Sequence, residues 1–352
     1  MKFVDFFSGI GGFRLGMEMA GHECVGHCEI DRYADKSYRV MHKVKESEFY
    51  ANDITRIQPG DLPGADIYCG GFPCQSFSIA GKRGGFADTR GTLFFEVMRL
   101  AVVRKPTYLF LENVKGLLSH DNGNTFATII ESLWECGYHA EWQVLNSKDH
   151  GVPQNRERVF IVGHLRGQSE PKVFPIREVN CNSTGKYNIR VKNQTPCKLD
   201  KPFIDGAFSS MIGNKVSIRS IGEEVSGTVT ARYYKGIGAN GDNMVLVREA
   251  TSKGYAEAEP GDSINLAVPN SNTRRGRVGK GLANTLDTGC QQAVVGKNLT
   301  IRKLTPLECF RLQGFPDEYF RRAAEVNSDS QLYKQAGNSV TVNVIHEIAR
   351  RL

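Results

Sequence analysis

The stretch Val4-Asp5-Phe6-Phe7-Ser8-Gly9-Ile10-Gly11-Gly12 decides the fold. Phe3–Phe7 reads as a strand, the glycines as a tight turn and Phe13–Ala20 as a helix, a layout that lets backbone approach a nucleotide-like ligand. A dinucleotide fingerprint would need a third glycine at position 14, where the chain has Arg14. A nicotinamide or flavin phosphate site is therefore disfavoured, and a ligand carrying less phosphate is expected. About twenty residues further on, Glu29 closes a second strand, where an acid in such folds can accept both ribose hydroxyls. Asp53 is placed to bind an adenine amino group. Either acid could instead cap the helix that follows it.

Outward from that turn the pattern repeats. Strands are expected at Cys24–Ile30, Asp66–Gly70, Tyr108–Glu112, Ala140–Leu145 and Val159–Gly163. Helices are expected at Arg32–Met41, Leu93–Val103 and Thr125–Cys136, which makes an α/β domain around a mostly parallel sheet. After about Arg166 the helical spacing disappears, and short β-prone pieces such as Val216–Ile218, Gly227–Ala231 and Met244–Val247 take over among glycine, asparagine and serine. Helical character returns at Pro306–Gln313, ended by Gly314-Phe315-Pro316, and in a last helix over about Val342–Arg351. The expected division is a catalytic and cofactor-binding domain over 1–178 and 330–352, with a smaller loop- and β-rich domain over 179–329, variable over about 179–298.

Charge separates these halves. Lysine and arginine number 45 against 38 acids, and 40% of the 352 residues are apolar, ordinary values for a globular chain. No stretch approaches the roughly 18 uninterrupted apolar residues of a membrane span. An acid at Asp5 and a glycine at Gly9 interrupt any secretory signal, so a cytoplasmic location is expected. Nine cysteines without a Cys-x-x-Cys pair suggest buried thiols, neither a disulfide framework nor a metal site. Positive charge concentrates in the second half: residues 263–286 contain no acid but include Arg274, Arg275, Arg277 and Lys280. With Arg232-Tyr233-Tyr234-Lys235, they suggest a face that tracks phosphates.

Chemistry points to three places. Gly70-Gly71-Phe72-Pro73-Cys74-Gln75-Ser76-Phe77-Ser78 follows a strand and so falls at the carboxyl edge of the sheet. Its one nucleophile is Cys74, which needs nearby positive charge or helix dipoles to become a thiolate at neutral pH. Glu112 ends the most apolar strand; burial there would raise its pKa and keep a proton on it, unless it merely caps the next turn. Arg156 and Arg158 alternate into a strand, so they would project on one side toward an anionic or thiolate site.

These segments, together with Arg302-Lys303-Leu304-Thr305-x-x-Glu308 and Gly337-Asn338-Ser339-Val340, occur in this order in the DNA cytosine-5 methyltransferases, which the chain resembles over residues 1–165 and 302–345. A bacterial or phage member is expected. The resemblance implies a Rossmann-like fold that uses S-adenosylmethionine, leaving S-adenosylhomocysteine, with residues 179–298 acting as a target-recognition domain. It implies that Cys74 adds to carbon 6 of a flipped-out cytosine, that Glu112 holds and protonates ring nitrogen 3, and that Arg158 with Arg156 anchors base and acid. Addition makes carbon 5 nucleophilic; carbon 5 takes the methyl group, and loss of its proton expels the cysteine. Phe7, Gly9, Ile10, Gly11, Gly12, Glu29, Ile30, Asp53, Ile54, Gly71, Pro73, Leu93, Asn338 and Val340 are expected around the cofactor. Ile30 departs from members that stack tryptophan on the adenine and should stack less well. Gln75, Ser78, Arg232, Tyr233, Arg274, Arg275, Arg277 and Lys280 are expected to meet DNA.

The expected partner is double-stranded DNA, bound by a monomer, with a separate restriction endonuclease as a possible companion. The nearest rival is an RNA cytosine-5 methyltransferase of the same architecture, against which the long basic 179–298 segment counts. A catalytically dead DNA-binding module would not require Cys74, Glu112 and Arg158 together, and Arg14 argues against a nicotinamide oxidoreductase.

Overall fold

The computed structural model describes residues 1–73, 93–168, 172–176, 218–220, 245–268, 273–296 and 301–352. The N-terminal half folds as alternating strands and helices: β1 (Lys2–Phe6), α1 (Gly12–Met19), β2 (Glu23–Cys28), α2 (Arg32–His42), β3 (Phe49–Ala51), β4 (Ile67–Gly71), α3 (Leu93–Arg104), β5 (Tyr108–Val114), α4 (Asn124–Glu135), β6 (Tyr138–Asn146), β7 (Gln154–Asn155) and β8 (Glu157–Leu165). All but the two-residue β7 join one seven-stranded sheet in the order β3-β2-β1-β4-β5-β8-β6. Neighbours from β3 to β5 are parallel. β8 runs antiparallel between β5 and β6. The expected α/β fold is present, with every expected strand of this half within two residues or so of its bounds; the short β3 was not anticipated.

Alternation along the strands explains the layers. In β5, Leu109 and Leu111 join the cluster that also holds Phe94, Met98 and Leu133 of α3 and α4. Tyr108 and Phe110 join the opposite one with Phe13 and Met17 of α1 and with Val344 and Ile348 of a C-terminal helix, Val342–Ala349. A central strand with apolar residues on both faces must be covered on both, as in other parallel sheets. Strand order reverses between β1 and β4, the crevice where open α/β sheets bind ligands.

The C-terminal part contributes α5 (Pro306–Leu312), α6 (Asp317–Val326), α7 (Asp329–Asn338) and α8 (Val342–Ala349). Thr305 and Glu308 form a capping box at α5. Glu308 also takes two hydrogen bonds from Arg302, at 2.9 and 2.7 Å. α6 and α7 were not anticipated. Phe310 and Phe315 share a core with Ile10, Leu15 and Met41; Arg322 in α6 donates to the Met41 carbonyl. Residues 306–329 thus pack on the catalytic half, although the sequence assigned them to the second domain.

Of that smaller region, the described strands form a three-stranded sheet of β9 (Ile218–Ser220), β10 (Val245–Arg248) and β11 (Tyr255–Ala258). A four-stranded sheet joins β12 (Ser263–Asn265), β13 (Val278–Gly279), β15 (Gln292–Val295) and β16 (Ile301–Lys303). The two-residue β14 (Ala283–Asn284) pairs with β7 instead. Gly227–Ala231 lies outside the described residues.

Candidate active site

The chain leaves β1 through backbone that few side chains tolerate. Phe7, Gly9 and Gly11 have φ of 52°, 55° and 80°. A Cβ on Gly11 would overlap the His42 ring, whose Nε2 donates to the Ile10 carbonyl at 3.0 Å. The turn presents the Gly9 amide to Glu29, just beyond β2. One carboxylate oxygen accepts from Gly9 N at 2.7 Å and the other from Asp31 N at 2.8 Å. Burial raises the Glu29 pKa above the ordinary value, and these two N–H groups oppose the rise.

Beside Glu29 opens a cavity of about 510 Å³. Phe7, Gly9, Ile10, Glu29, Ile30, Asp53, Ile54, Gly71, Pro73, Leu93 and Asn338 all line it, and so do Glu112, Arg156 and Arg158. Three expected cofactor residues stand behind the wall. Gly11 meets His42, and Val340 is buried in the core with α8. Gly12 lets α1 approach the 339–340 backbone, since a Cβ there would lie 2.8 Å from the Val340 carbonyl oxygen. Ile30 is 76% exposed, an apolar platform at the mouth. Asp53 realises the capping alternative: one oxygen accepts from the Thr55 hydroxyl at 2.7 Å and from its amide at 3.0 Å. These bonds hold its pKa below the ordinary value.

At the far end, Glu112 reaches the carboxyl edge on β5. Arg158 lies opposite Val114 on the antiparallel β8, diagonal to Glu112 on one face of the sheet. Its Nε stands 3.1 Å from Glu112 Oε1. Burial raises the Glu112 pKa, while Arg158 and then Arg156 pull it back. Gly71 faces Glu112 in the β4–β5 register, and a Cβ there would sit 2.9 Å from Glu112 Oε2. Asn113, to which no role was assigned from sequence, is buried and donates to the Phe72 carbonyl at 2.9 Å. It thus holds the segment leading to Pro73. A lone amide in a dry strand is the signal that could have found it, because buried polar groups need partners.

Arg156 meets expectation only in part: it lines the same cavity as Glu112 and Arg158, but it is held differently. It falls in the break between β7 and β8, so the alternation that would set it beside Arg158 is interrupted. It is 3% exposed, and its guanidinium donates to the carbonyls of Leu286, Gly337 and Ser339. Cys74, Gln75, Ser78, Arg232 and Tyr233 lie outside the described residues.

The basic loop is also corrected. Arg277 is buried, its two Nη atoms donating to the Ala267 and Val268 carbonyls at 3.3 and 2.6 Å, which leaves no face for a phosphate. Lys280 is paired with Asp262 at 2.8 Å and faces Glu259 at 3.8 Å. Arg275 remains exposed and Arg274 half-buried, both donating to backbone carbonyls, of Ala250 and Ala267 respectively. The acids missing from 263–286 are supplied by neighbouring segments.

A cavity at the strand-order switch, with a buried acid–arginine pair at one end and the amide-held Glu29 carboxylate at the other, can now be set beside known proteins. The type II methyltransferase M.HhaI of Haemophilus parahaemolyticus is 34% identical over 99% of this chain and 93% of its own. The type II methyltransferase M.NlaX of Neisseria lactamica is 35% identical over 100% and 96%. The crystal structure of the S. pombe Dnmt2 methyltransferase shares the fold, with a TM-score of 0.58 at 16% identity over 99% of this chain and 97% of that one. The profile described as C-5 cytosine-specific DNA methylase matches residues 1–352, and the chain belongs to that family.

Proposed function

We propose that this enzyme, a DNA cytosine-5 methyltransferase, works through Cys74 as nucleophile, Glu112 as proton-bearing acid and Arg158 as the group that orients it. The observation carrying this reading is that the Glu112–Arg158 pair and the Glu29 carboxylate open onto one cavity.

Its volume is within the roughly 300–1,000 Å³ of small-molecule sites. The residues present fit S-adenosylmethionine. Glu29, fixed by two amides, has lone pairs left for a ribose diol; Phe7, Ile30 and Leu93 offer apolar contact for a base; and Gly9 has no atom within 4 Å of where its Cβ would be. When bound, that cofactor supplies an electrophilic methyl group on a sulfonium.

Cytosine carbon 5 is a feeble nucleophile, so the chain's task is to make it a better one. Cys74, directly after the cavity-lining Pro73, forms a bond to carbon 6 while the Glu112 proton moves to ring nitrogen 3. Addition leaves an enamine whose carbon 5 would be nucleophilic enough to accept the methyl group that the cofactor supplies. Loss of the carbon 5 proton to a solvent base then re-forms the 5,6 double bond and expels the Cys74 thiolate, while the ring-nitrogen proton returns to the Glu112 carboxylate. Burial suits Glu112 to this step, because desolvation raises its pKa and so favours the proton-bearing form. Arg158 fixes the direction in which the carboxyl points.

The finer features follow from the same reading: duplex DNA as partner, a monomer in solution, a cytoplasmic location, and service to a restriction–modification system or to phage self-protection. Incubation with cofactor carrying a tritiated methyl group and either duplex DNA or transfer RNA is the test. Label in DNA, lost in Glu112→Gln, supports it; label confined to transfer RNA overturns it.

A further inference from the structure

Arg156 is buried, and among the described residues its guanidinium meets carbonyl oxygens rather than a carboxylate. Nη1 donates to Leu286 O at 3.2 Å, and Nη2 to Ser339 O at 2.8 Å and Gly337 O at 3.3 Å. The first carbonyl belongs to the chain leaving β14 of the small β-rich region. The other two flank Asn338, which lines the cavity.

Other contacts follow the same seam. β7 and β14 pair through Ala283 with Gln154 and Asn284 with Asn155. Gln154 accepts from Leu286 N at 3.1 Å and donates to Leu312 O at 2.8 Å. A Cβ on Gly337 would overlap the Asp287 carbonyl and stand 2.8 Å from Thr288 N, so residues 286–288 pack directly on the backbone of α7. Drawing the two segments apart would strip hydrogen bonds from a buried cation, which is costly because water cannot replace them there. Residues 283–288 and 337–339 must therefore shift together.

We infer that Arg156 is a positioning residue that couples engagement of DNA by the small β-rich region to the wall of the cofactor cavity. The inference rests on the proposed function, which makes that region the DNA-facing one. It assigns Arg156 no contact with substrate.

The readout is a ratio: the Kd of S-adenosylhomocysteine without DNA divided by its Kd with a duplex carrying the target, which bisulfite sequencing of plasmid from expressing cells would identify. Wild-type enzyme should give a ratio of at least about five, the low end of ordinary coupling. Arg156→Met should bring it near one. Arg156→Lys, which retains the charge but not the fork, should fall between. If Arg156→Met does not fold, Arg156→Lys and Gly337→Ala, which wedges the seam at Asp287, decide the matter by the same ratio.

A purely structural role would lower Tm and weaken both affinities in step, leaving the ratio untouched. Such a result, or a wild-type ratio of one, overturns the inference. Tritium transfer by wild-type enzyme tests the proposed function separately, so enzyme that methylates DNA without this coupling would refute the inference alone.

Discussion

Replacing Glu29 by glutamine isolates one function of the β1–α1 turn. The carboxylate takes hydrogen bonds on both oxygens, from Gly9 N at 2.7 Å and Asp31 N at 2.8 Å. An amide has one acceptor oxygen, so one of those N–H groups would face an NH₂ donor. The carboxylate's remaining lone pairs are the ones proposed to accept the ribose hydroxyls, and such a hydrogen bond to a charged group, made only in the complex, contributes about 1.5–3 kcal/mol. At about 1.4 kcal/mol per factor of ten, the Kd of S-adenosylhomocysteine should rise about ten- to a hundredfold in Glu29→Gln. pH sharpens the test. The Glu29 pKa is raised by burial, so the wild-type carboxylate gains its proton, and the site loses affinity, at a higher pH than an exposed glutamate would. Glutamine cannot titrate and should remove that dependence. Isothermal titration at pH 7.5 and 5.5, with Tm recorded for each protein, measures both effects. A Kd within twofold of wild type in a folded variant would refute the assignment of Glu29 to the cofactor.

Other expectations follow from the same structure. The double variant Arg274→Ala/Arg275→Ala should reduce the salt slope of DNA binding by up to about two, while Lys280→Ala, already paired with Asp262, should leave it near wild type; equal effects of both would count against this division. Asn113→Ala should lower kcat far more than the KM for cofactor, because it releases the Phe72 carbonyl before Pro73; an unchanged kcat would refute that role. Burial holds the His42 pKa at about 3, below its ordinary value. Stability is therefore fully present above the unfolded pKa of about 6.5 and is lost as pH falls from there toward 3, by up to about 1.4 kcal/mol per pH unit. In His42→Gln the acid limb of a urea-denaturation series should flatten, and an unchanged slope would contradict it.

What the sequence shows and hides divides by the range of the interactions involved. The β1 turn was legible because its glycines and the approach of Glu29 lie within one strand–helix–strand unit, 20 positions apart. β5 was legible because an unbroken apolar run fixes a strand covered on both faces. Arg156 and Arg158 look equivalent in sequence, but their partners separate them: Glu112 lies 46 positions from Arg158, while the carbonyls holding Arg156 lie 130 to 183 positions away. Arg277 and Lys280 sit in a stretch without acids, yet Lys280 finds Asp262, and the Arg277 amide finds Glu249, across the fold. Helices α6 and α7 escaped because Gly314-Phe315-Pro316 reads as an end, whereas Pro316 is the residue from which α6 starts.

The central claim is that the chain methylates cytosine by covalent addition through the Cys74 thiol. The most direct measurement is trapping on duplex DNA carrying 5-fluorocytosine at the target, since fluorine at carbon 5 cannot leave as a proton does. A denaturant-resistant protein–DNA adduct should form with wild-type enzyme only when S-adenosylmethionine is present, and Cys74→Ala should form none while still binding DNA. An adduct that persists in Cys74→Ala would place the nucleophile elsewhere and contradict the account.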